Sequence, residues 1–263
     1  MNIIDSFKNV KMYDLTQKIS HLTPAWPTYE PLQIKFFKRL SSNGANGQVL
    51  THSNHVGTHL DGSLHFCTHG RDISAIPLEE LVAPGVVVDI SDIAEDYGIY
   101  TSKDIMERAD VRKGDILIIH TGYHKYGWDE PEADEERVMM RHPGPTKEFA
   151  NWCKEMQFKW IGVDCGSADH PMNTKIREWA PKEARRADKF LRGKYGKGLE
   201  DFWPEEDYQL MHYDLFPLNI VHAENIGGDI DKVLGKRLVI GCFPWRFVGG
   251  ESCICRIVAF DTE

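Results

Sequence analysis

Residues 51–66 read T-H-S-N-H-V-G-T-H-L-D-G-S-L-H-F, from Thr51 to Phe66. His55, His59, Asp61 and His65 occupy odd positions, and Val56, Leu60, Leu64 and Phe66 occupy even ones. A period of two belongs to an extended strand, with imidazoles and a carboxylate on one side and apolar groups on the other. Strict extension would hold His55 and His59 roughly 13 Å apart. Two ligands of one cation lie much closer, with metal–nitrogen bonds of about 2.0–2.1 Å. The chain must therefore bend between them. Gly57 supplies a permissive backbone at that point, and Gly62 can do the same before His65. Such a segment presents two imidazoles and a carboxylate to Zn²⁺, Mn²⁺ or Fe²⁺. Any one histidine is more often a satisfied core or surface group. Four ionisable groups on one face, with a glycine at each bend, outweigh that reading. His52 and His69 break the spacing and stay outside the set.

Three residues leave room for further ligands. Candidates are His120, His124, His142, His170, His212 and His222. Glu224 follows an apolar Ile220-Val221 pair, and a buried carboxylate there needs a cation or donors to offset its desolvation. Residue types alone leave both His212 and His222 open as its companion.

Outward from this segment, six runs have strand character: 85–90, 115–120, 160–164, 219–222, 237–242 and 253–260. Several are continuously apolar, which suits strands buried on both faces. Helices are predicted over 101–109, capped by Thr101 or Ser102, over 145–156 with Pro145 in the first turn, and over 182–191. Stretches 122–144 and 193–206 read as loops. There is no internal repeat and no composition break. One α/β domain with a mixed sheet, spanning 1–263, is the expected architecture. No G-x-G-x-x-G or P-loop follows a strand.

Composition narrows the function. The 263 residues carry 31 Lys and Arg against 40 Asp and Glu, a net charge of −9. A nucleic-acid partner needs a basic footprint, so none is expected. The basic run from Lys182 to Lys197 reads as a solvated face. No run of about 18 apolar residues is present, so no membrane span is expected. Met1 to Lys11 lacks the apolar core of a secretory leader. The six cysteines form no C-x-x-C pair and read as reduced, mostly core thiols of a cytoplasmic protein. No G-x-S-x-G elbow offers a serine nucleophile, and Cys67 is a poor one because its surroundings read as buried.

The segment H-V-G-T-H-L-D-G-S-L-H-F resembles the H-x-G-T-H-x-D-x-P-x-H-F signature of the cyclase family. That family includes bacterial kynurenine formamidases, isatin hydrolases and trans-dienelactone hydrolases. His55, Gly57, Thr58, His59, Asp61, His65 and Phe66 match at fixed spacing. Tyr13-Asp14-Leu15-Thr16 with Trp26-Pro27, Gly114-Asp115-Ile116 with Thr121-Gly122, Gly162-Val163-Asp164 with Ser167, and His212 with Glu224-Asn225 are similar to further family elements. The resemblance runs from about Tyr13 to Pro244. It implies that His55, His59 and Asp61 ligate a divalent metal, Zn or Mn, and that His212 and Glu224 complete one or two metal positions per chain. It implies His65 in proton transfer, and it selects His212 over His222. It also implies a barrel-like central sheet flanked by helices, of the swivelling β/β/α type, and a homodimer or homotetramer with swapped N-terminal segments. Ser63 stands where the family commonly has proline, which would loosen the turn before His65. Extra stretches near 132–143 and 169–198 would reshape the pocket or an interface.

The expected activity is metal-assisted hydrolysis of an amide, cyclic amide or lactone bond of a small, ring-containing molecule. His65 moves the proton, since an imidazole can take and return one near neutral pH. The Thr58 or Ser167 hydroxyl stabilises the oxyanion, and Trp26 stacks on the ring. The competing reading is a non-catalytic metal-binding or sensory protein that uses the same ligands with no open coordination position.

Overall fold

The structure is a computed structural model, and it describes residues 8–262. Most of the segment read as lacking a secretory leader therefore lies outside the described residues. The strands are β1 (Lys11–Asp14), β2 (Gln33–Lys38), β3 (Gly47–Thr51), β4 (His59–Asp61), β5 (Val82–Asp89), β6 (Ile99–Tyr100), β7 (Ile116–His120), β8 (Gly144–Pro145), β9 (Trp160–Val163), β10 (Val221–Glu224), β11 (Arg237–Pro244) and β12 (Ser252–Asp261). All six strand expectations have a counterpart here.

Seven strands close into a ring in the order β12-β11-β5-β7-β9-β10-β4, and β4 pairs back onto β12. β5, β7, β9 and β10 run parallel, whereas β4, β11 and β12 pair antiparallel. One edge of β12 is divided. Its start, Ser252–Ile254, pairs with β4, and its end, Val258–Asp261, pairs with β1. β2 and β3 form a separate two-stranded ribbon.

Period-two alternation sorts the ring's side chains. Leu60, Val87, Ile116, Ile118, Trp160, Ala223, Ile240 and Ile257 fill its interior. Val86, Val88, Leu117, Ile119, Ile161 and Val163 point the other way and pack against helices that bring Phe149, Cys153, Leu191 and Met211. The runs that read as continuously apolar are therefore buried on both sides, by a barrel core and by a helical layer.

Helices occupy Ser102–Met106, Lys147–Met156 and Pro181–Tyr195. The Thr101 N–H donates to Asp104 at 2.8 Å, which fixes the first of these starts. Two details depart from the sequence reading. Pro145 lies in β8, and Thr146 is the N-cap of its helix, so the proline precedes the helix instead of opening it. The two predicted loops contain short helices, Glu135–Met140 and Leu199–Phe202. Asp134 caps the former by accepting from the Arg137 N–H. The basic run lies on the helix Pro181–Tyr195, where Arg186, Arg192 and Lys194 pair with Glu183, Asp188 and Glu95. All six cysteines are free. Among the described residues no helix is long and apolar enough to cross a membrane.

Candidate metal centre

The centre forms where β4 meets β10 and β12. Register sets His59 opposite Glu224 and Asp61 opposite His222, while Leu60 and Ala223 between them turn into the barrel. His55 arrives from the preceding turn. Gly57 there has φ +60°, so the chain does bend at this glycine. A side chain at Gly57 would also strike Ile19. Gly62 behaves differently from the expectation: its φ of −87° is open to any residue. It is needed small because a Cβ would lie 3.1 Å from the Glu251 carbonyl and from Ile73.

Five predicted ligand side chains converge. His55 Nδ1 lies 3.1 Å from Asp61 Oδ1, and His59 Nε2 lies 3.5 Å from the same oxygen. His59 Nε2 is 3.6 Å from Glu224 Oε2. His212 Nε2 lies 3.6 Å from Asp61 Oδ2 and 3.9 Å from Glu224 Oε1. Metal bonds of about 2.0–2.2 Å put ligand atoms roughly 3–3.6 Å apart, so these spacings fit a cation between them.

Two observations test that fit. His59 Nε2 and Asp61 Oδ1 are buried and have no hydrogen-bond partner. Buried polar atoms are rarely left so, and a cation would satisfy both. The other ring nitrogens are also assigned. His59 Nδ1 donates to the Gly57 carbonyl at 2.8 Å, and His212 Nδ1 donates to Asp169 Oδ2 at 2.6 Å. Both contacts leave Nε2 as the lone-pair nitrogen, the arrangement that orients a ligating imidazole. The residues present therefore fit a divalent metal.

The charges agree. Burial opposes ionisation of Asp61, but His55 and His59 outweigh it and hold the carboxyl well below its usual range. Burial and the Asp61 charge push Glu224 up to about 8. Two carboxylates this close in a dry site share a proton unless a cation replaces it. Burial lowers His59 to about 4, so that ring is neutral as a ligand must be.

One residue escaped the sequence reading, and two others take roles it had left open. Glu251, just before β12, accepts from His55 Nε2 at 2.9 Å and from His65 Nδ1 at 2.8 Å. Asp169, in the extra stretch 169–198, orients His212. His222 belongs to the cluster: its ring centroid is 5.0 Å from that of His212, and both its nitrogens are buried without partners. The sequence held His222 as an alternative to His212, and the fold places both beside Glu224. Only Glu251 left no signal, since it lies in an irregular Gly-rich turn.

A pocket opens over the cluster. It is lined by Trp26, Tyr29, His55, Asp61, His65, Phe66, Ser167, Lys175, Trp179, Gln209, His212 and Glu224. Trp26 and Ser167 thus both line this pocket. Thr58 does not. It is fully buried, and its hydroxyl donates to the Asn225 carbonyl at 2.6 Å and accepts from the Gln17 N–H at 2.9 Å. Both its capacities serve the backbone, so it is removed from the substrate-binding set. Ser63 also corrects an expectation. Its hydroxyl accepts the Arg71 N–H at 3.0 Å and donates to Asn219 at 3.1 Å. Arg71 in turn donates to Asn219 and Glu80. The turn before His65 is tied by this network instead of by a proline ring.

Fold and site together define a metal-dependent hydrolase: a closed mixed α/β barrel with a His/Asp/Glu centre on its outer face, under an open pocket. The chain belongs to the Cyclase family, whose sequence profile, described as "Putative cyclase", matches residues 13–170. The kynurenine formamidase of Geobacillus thermodenitrificans is 26% identical over 163 residues, 62% of this chain and 71% of that protein. Among solved structures, isatin hydrolase A from Ralstonia solanacearum superposes with a TM-score of 0.74 at 20% identity, covering 97% of this chain and 93% of that one. A potential metal-dependent hydrolase with cyclase activity gives 0.65 at 20% identity, over 97% and 99%. At these identities the two structures speak for the fold.

Proposed function

We propose that the protein hydrolyses the carbon–nitrogen or carbon–oxygen acyl bond of a small, ring-containing amide, cyclic amide or lactone. The observation that carries this reading is the His65–Glu251 pair, set beside ligand atoms without partners on the floor of an open pocket. A non-catalytic metal store would not need a pocket over its ligands.

In this reading His55, His59 and Asp61 hold one Zn²⁺ or Mn²⁺, and His212 and Glu224, with His222 adjacent, complete that position or a second. A bound cation of this kind acts as a Lewis acid and lowers the pKa of a water toward 7. His65 supplies the proton traffic. Its Nδ1 is held by Glu251, which leaves Nε2 to take a proton and stabilises the imidazolium that results. The same nitrogen returns the proton to the leaving nitrogen or oxygen. The Ser167 hydroxyl donates to the carbonyl oxygen as charge builds on it. Trp26, Tyr29, Phe66 and Trp179 supply flat apolar walls for a ring. The names of the relatives, a kynurenine formamidase and an isatin hydrolase, support this substrate class.

The test is metal-loaded protein assayed on three probes: an N-formyl aromatic amine, isatin and an unsaturated lactone. Turnover of at least one is expected. Inactivity of Zn²⁺- and Mn²⁺-loaded protein on all three would overturn the substrate class. We also propose a homodimer or homotetramer. The β2–β3 ribbon and its connection expose Ile34, Phe37, Leu40, Val49 and Leu50, a surface that a second copy would cover. Light scattering on the purified protein should return a multiple of the chain mass, and a monomer would refute it. Six free thiols support a cytoplasmic setting.

A further inference from the structure

A second group of ligand-type side chains lies apart from the centre above and shares no residue with it. His120 ends β7, His124 lies in the turn that follows it, and Asp164 follows β9 directly. Asp231 reaches them from the short helix Ile230–Lys232. His124 Nδ1 is 3.1 Å from Asp164 Oδ2, and His120 Nε2 is 3.8 Å from the same oxygen. Asp231 closes the group, with Oδ1 3.2 Å from His120 Nε2 and Oδ2 3.3 Å from His124 Nε2. The two rings stand 5.2 Å apart.

The group is prepared for a ligand. His120 Nδ1 donates to Asp89 Oδ1 at 2.9 Å, which leaves Nε2 with its lone pair turned toward the other three residues. That nitrogen is buried and makes no hydrogen bond, and His120 is only 3% exposed. Asp164 is equally fixed. Its Oδ1 takes the Thr121 N–H and hydroxyl, and its Oδ2 takes the Gly122 N–H and, while no cation is bound, His124 Nδ1 at 3.1 Å. The cluster sits at the C-terminal ends of the parallel strands β7 and β9.

We propose that His120, His124, Asp164 and Asp231 form a second binding site for a divalent cation of the zinc class, distinct from the hydrolytic centre. His120, His124 and Asp164 bring three ligand atoms within 4.8 Å of one another, and Asp231 stands beside the two imidazoles where it would add a fourth, the pattern of a structural site. The ion would clip the helix Ile230–Lys232 to the ends of β7 and β9. The segment before that helix already holds β1 and the residues after it, because Gly227 N–H donates to the Leu15 carbonyl and Asp229 N–H to the Asp14 carbonyl. The clip would therefore stiffen the seating of the N-terminal strand, with no part in the chemistry.

The experiment is equilibrium dialysis of the full chain against Zn²⁺, with bound metal counted by elemental analysis. Wild type, Asp231→Asn, His124→Gln and Asp61→Ala are compared. Asp231 is exposed, so its variant tests the site even if His124→Gln does not fold. The expected result is that His124→Gln binds one equivalent fewer than wild type. Asp231→Asn should hold that equivalent at least about tenfold more weakly. Both should keep wild-type hydrolytic turnover, and Asp61→Ala should keep this equivalent while losing metal at the hydrolytic centre. Equal metal content and affinity in wild type and Asp231→Asn would overturn the proposal and leave a hydrogen-bonded ion cluster. A metal-free Asp61→Ala protein would overturn it as well.

Discussion

Replacing Glu251 by Gln probes the one site residue that no sequence pattern marks. Its Oε2 accepts from both His55 Nε2, at 2.9 Å, and His65 Nδ1, at 2.8 Å, while Oε1 accepts from Asn54 at 2.9 Å. Burial disfavours the charged carboxylate, but the His55 and His65 bonds prevail and hold it far below the usual range. Gln offers one accepting oxygen and no charge. One of the three bonds is lost, and the others fall from charge-assisted to neutral. Hydrogen bonds to charged groups contribute about 1.5–3 kcal/mol and neutral ones about 0.5–1.5. The side chain is 35% exposed, so solvent screening places the loss at the lower end, about 1.5–2 kcal/mol. That corresponds to a roughly 10–30-fold fall in kcat, since about 1.4 kcal/mol is tenfold. The assay is steady-state turnover on the best substrate of the panel, with metal content measured on the same sample. The reasoning expects kcat of the metal-saturated protein to drop and metal affinity to fall with it, because Glu251 also orients His55, a proposed ligand. Turnover and metal affinity both within about twofold of wild type would refute the role given to Glu251.

Other outcomes follow from the same geometry. His65→Ala should keep its metal and lose roughly 10²–10⁴-fold in turnover, the usual size of general acid–base catalysis; wild-type-like rates would take His65 out of the mechanism. Metal uptake should release protons. Burial works against charge on His55 and His212, yet Asp61 and Glu251 on one and Asp169 and Asp61 on the other raise both to about 10. Without metal both rings therefore hold protons at pH 7, and a cation must displace them, so affinity falls as pH falls. Calorimetric binding enthalpies should then vary with the ionisation enthalpy of the buffer, and buffer-independent values would contradict the charge assignment. Ser63→Ala strands the Arg71 N–H, while Asn219 keeps its bond from the Arg71 guanidinium, and should cost about 1–3 kcal/mol in urea unfolding. An unchanged midpoint would mean that the network contributes nothing.

The parts of the site legible in sequence are those set by local periodicity. His59-Leu60-Asp61 shows its two faces as a period-two strand must, and Gly57 marks the bend that brings His55 round. Strands buried on both faces announced themselves as unbroken Val and Ile runs. What stayed hidden depends on closure of the ring. Glu251 meets His55 across 196 residues of chain, in a turn with no repeating pattern. Asp169 opens the stretch expected to reshape the pocket, but its partner becomes visible only when the helix bearing His212 packs over it. Thr58 was misplaced because a hydroxyl beside ligands reads as a donor to substrate, while the fold spends it on Asn225 and Gln17. Pro145 was read into the helix, whereas it pairs with Tyr100 in the β6–β8 ladder and the helix begins only after Thr146.

The divided edge of β12 has a consequence for synthesis of the chain. Its first three residues close the ring against β4, and its last four hold β1, so one strand secures both the barrel seam and the edge strand β1, and neither is complete before it is made. Until that strand emerges, β4 lacks its β12 neighbour, and His55 and His65 lack Glu251. Such long-range pairings form late because loop closure must precede them. A nascent or C-terminally clipped chain is thus inert by construction: its histidines exist, but nothing aligns them. Removal of β12 would therefore undo the barrel seam and the seat of β1 in one event.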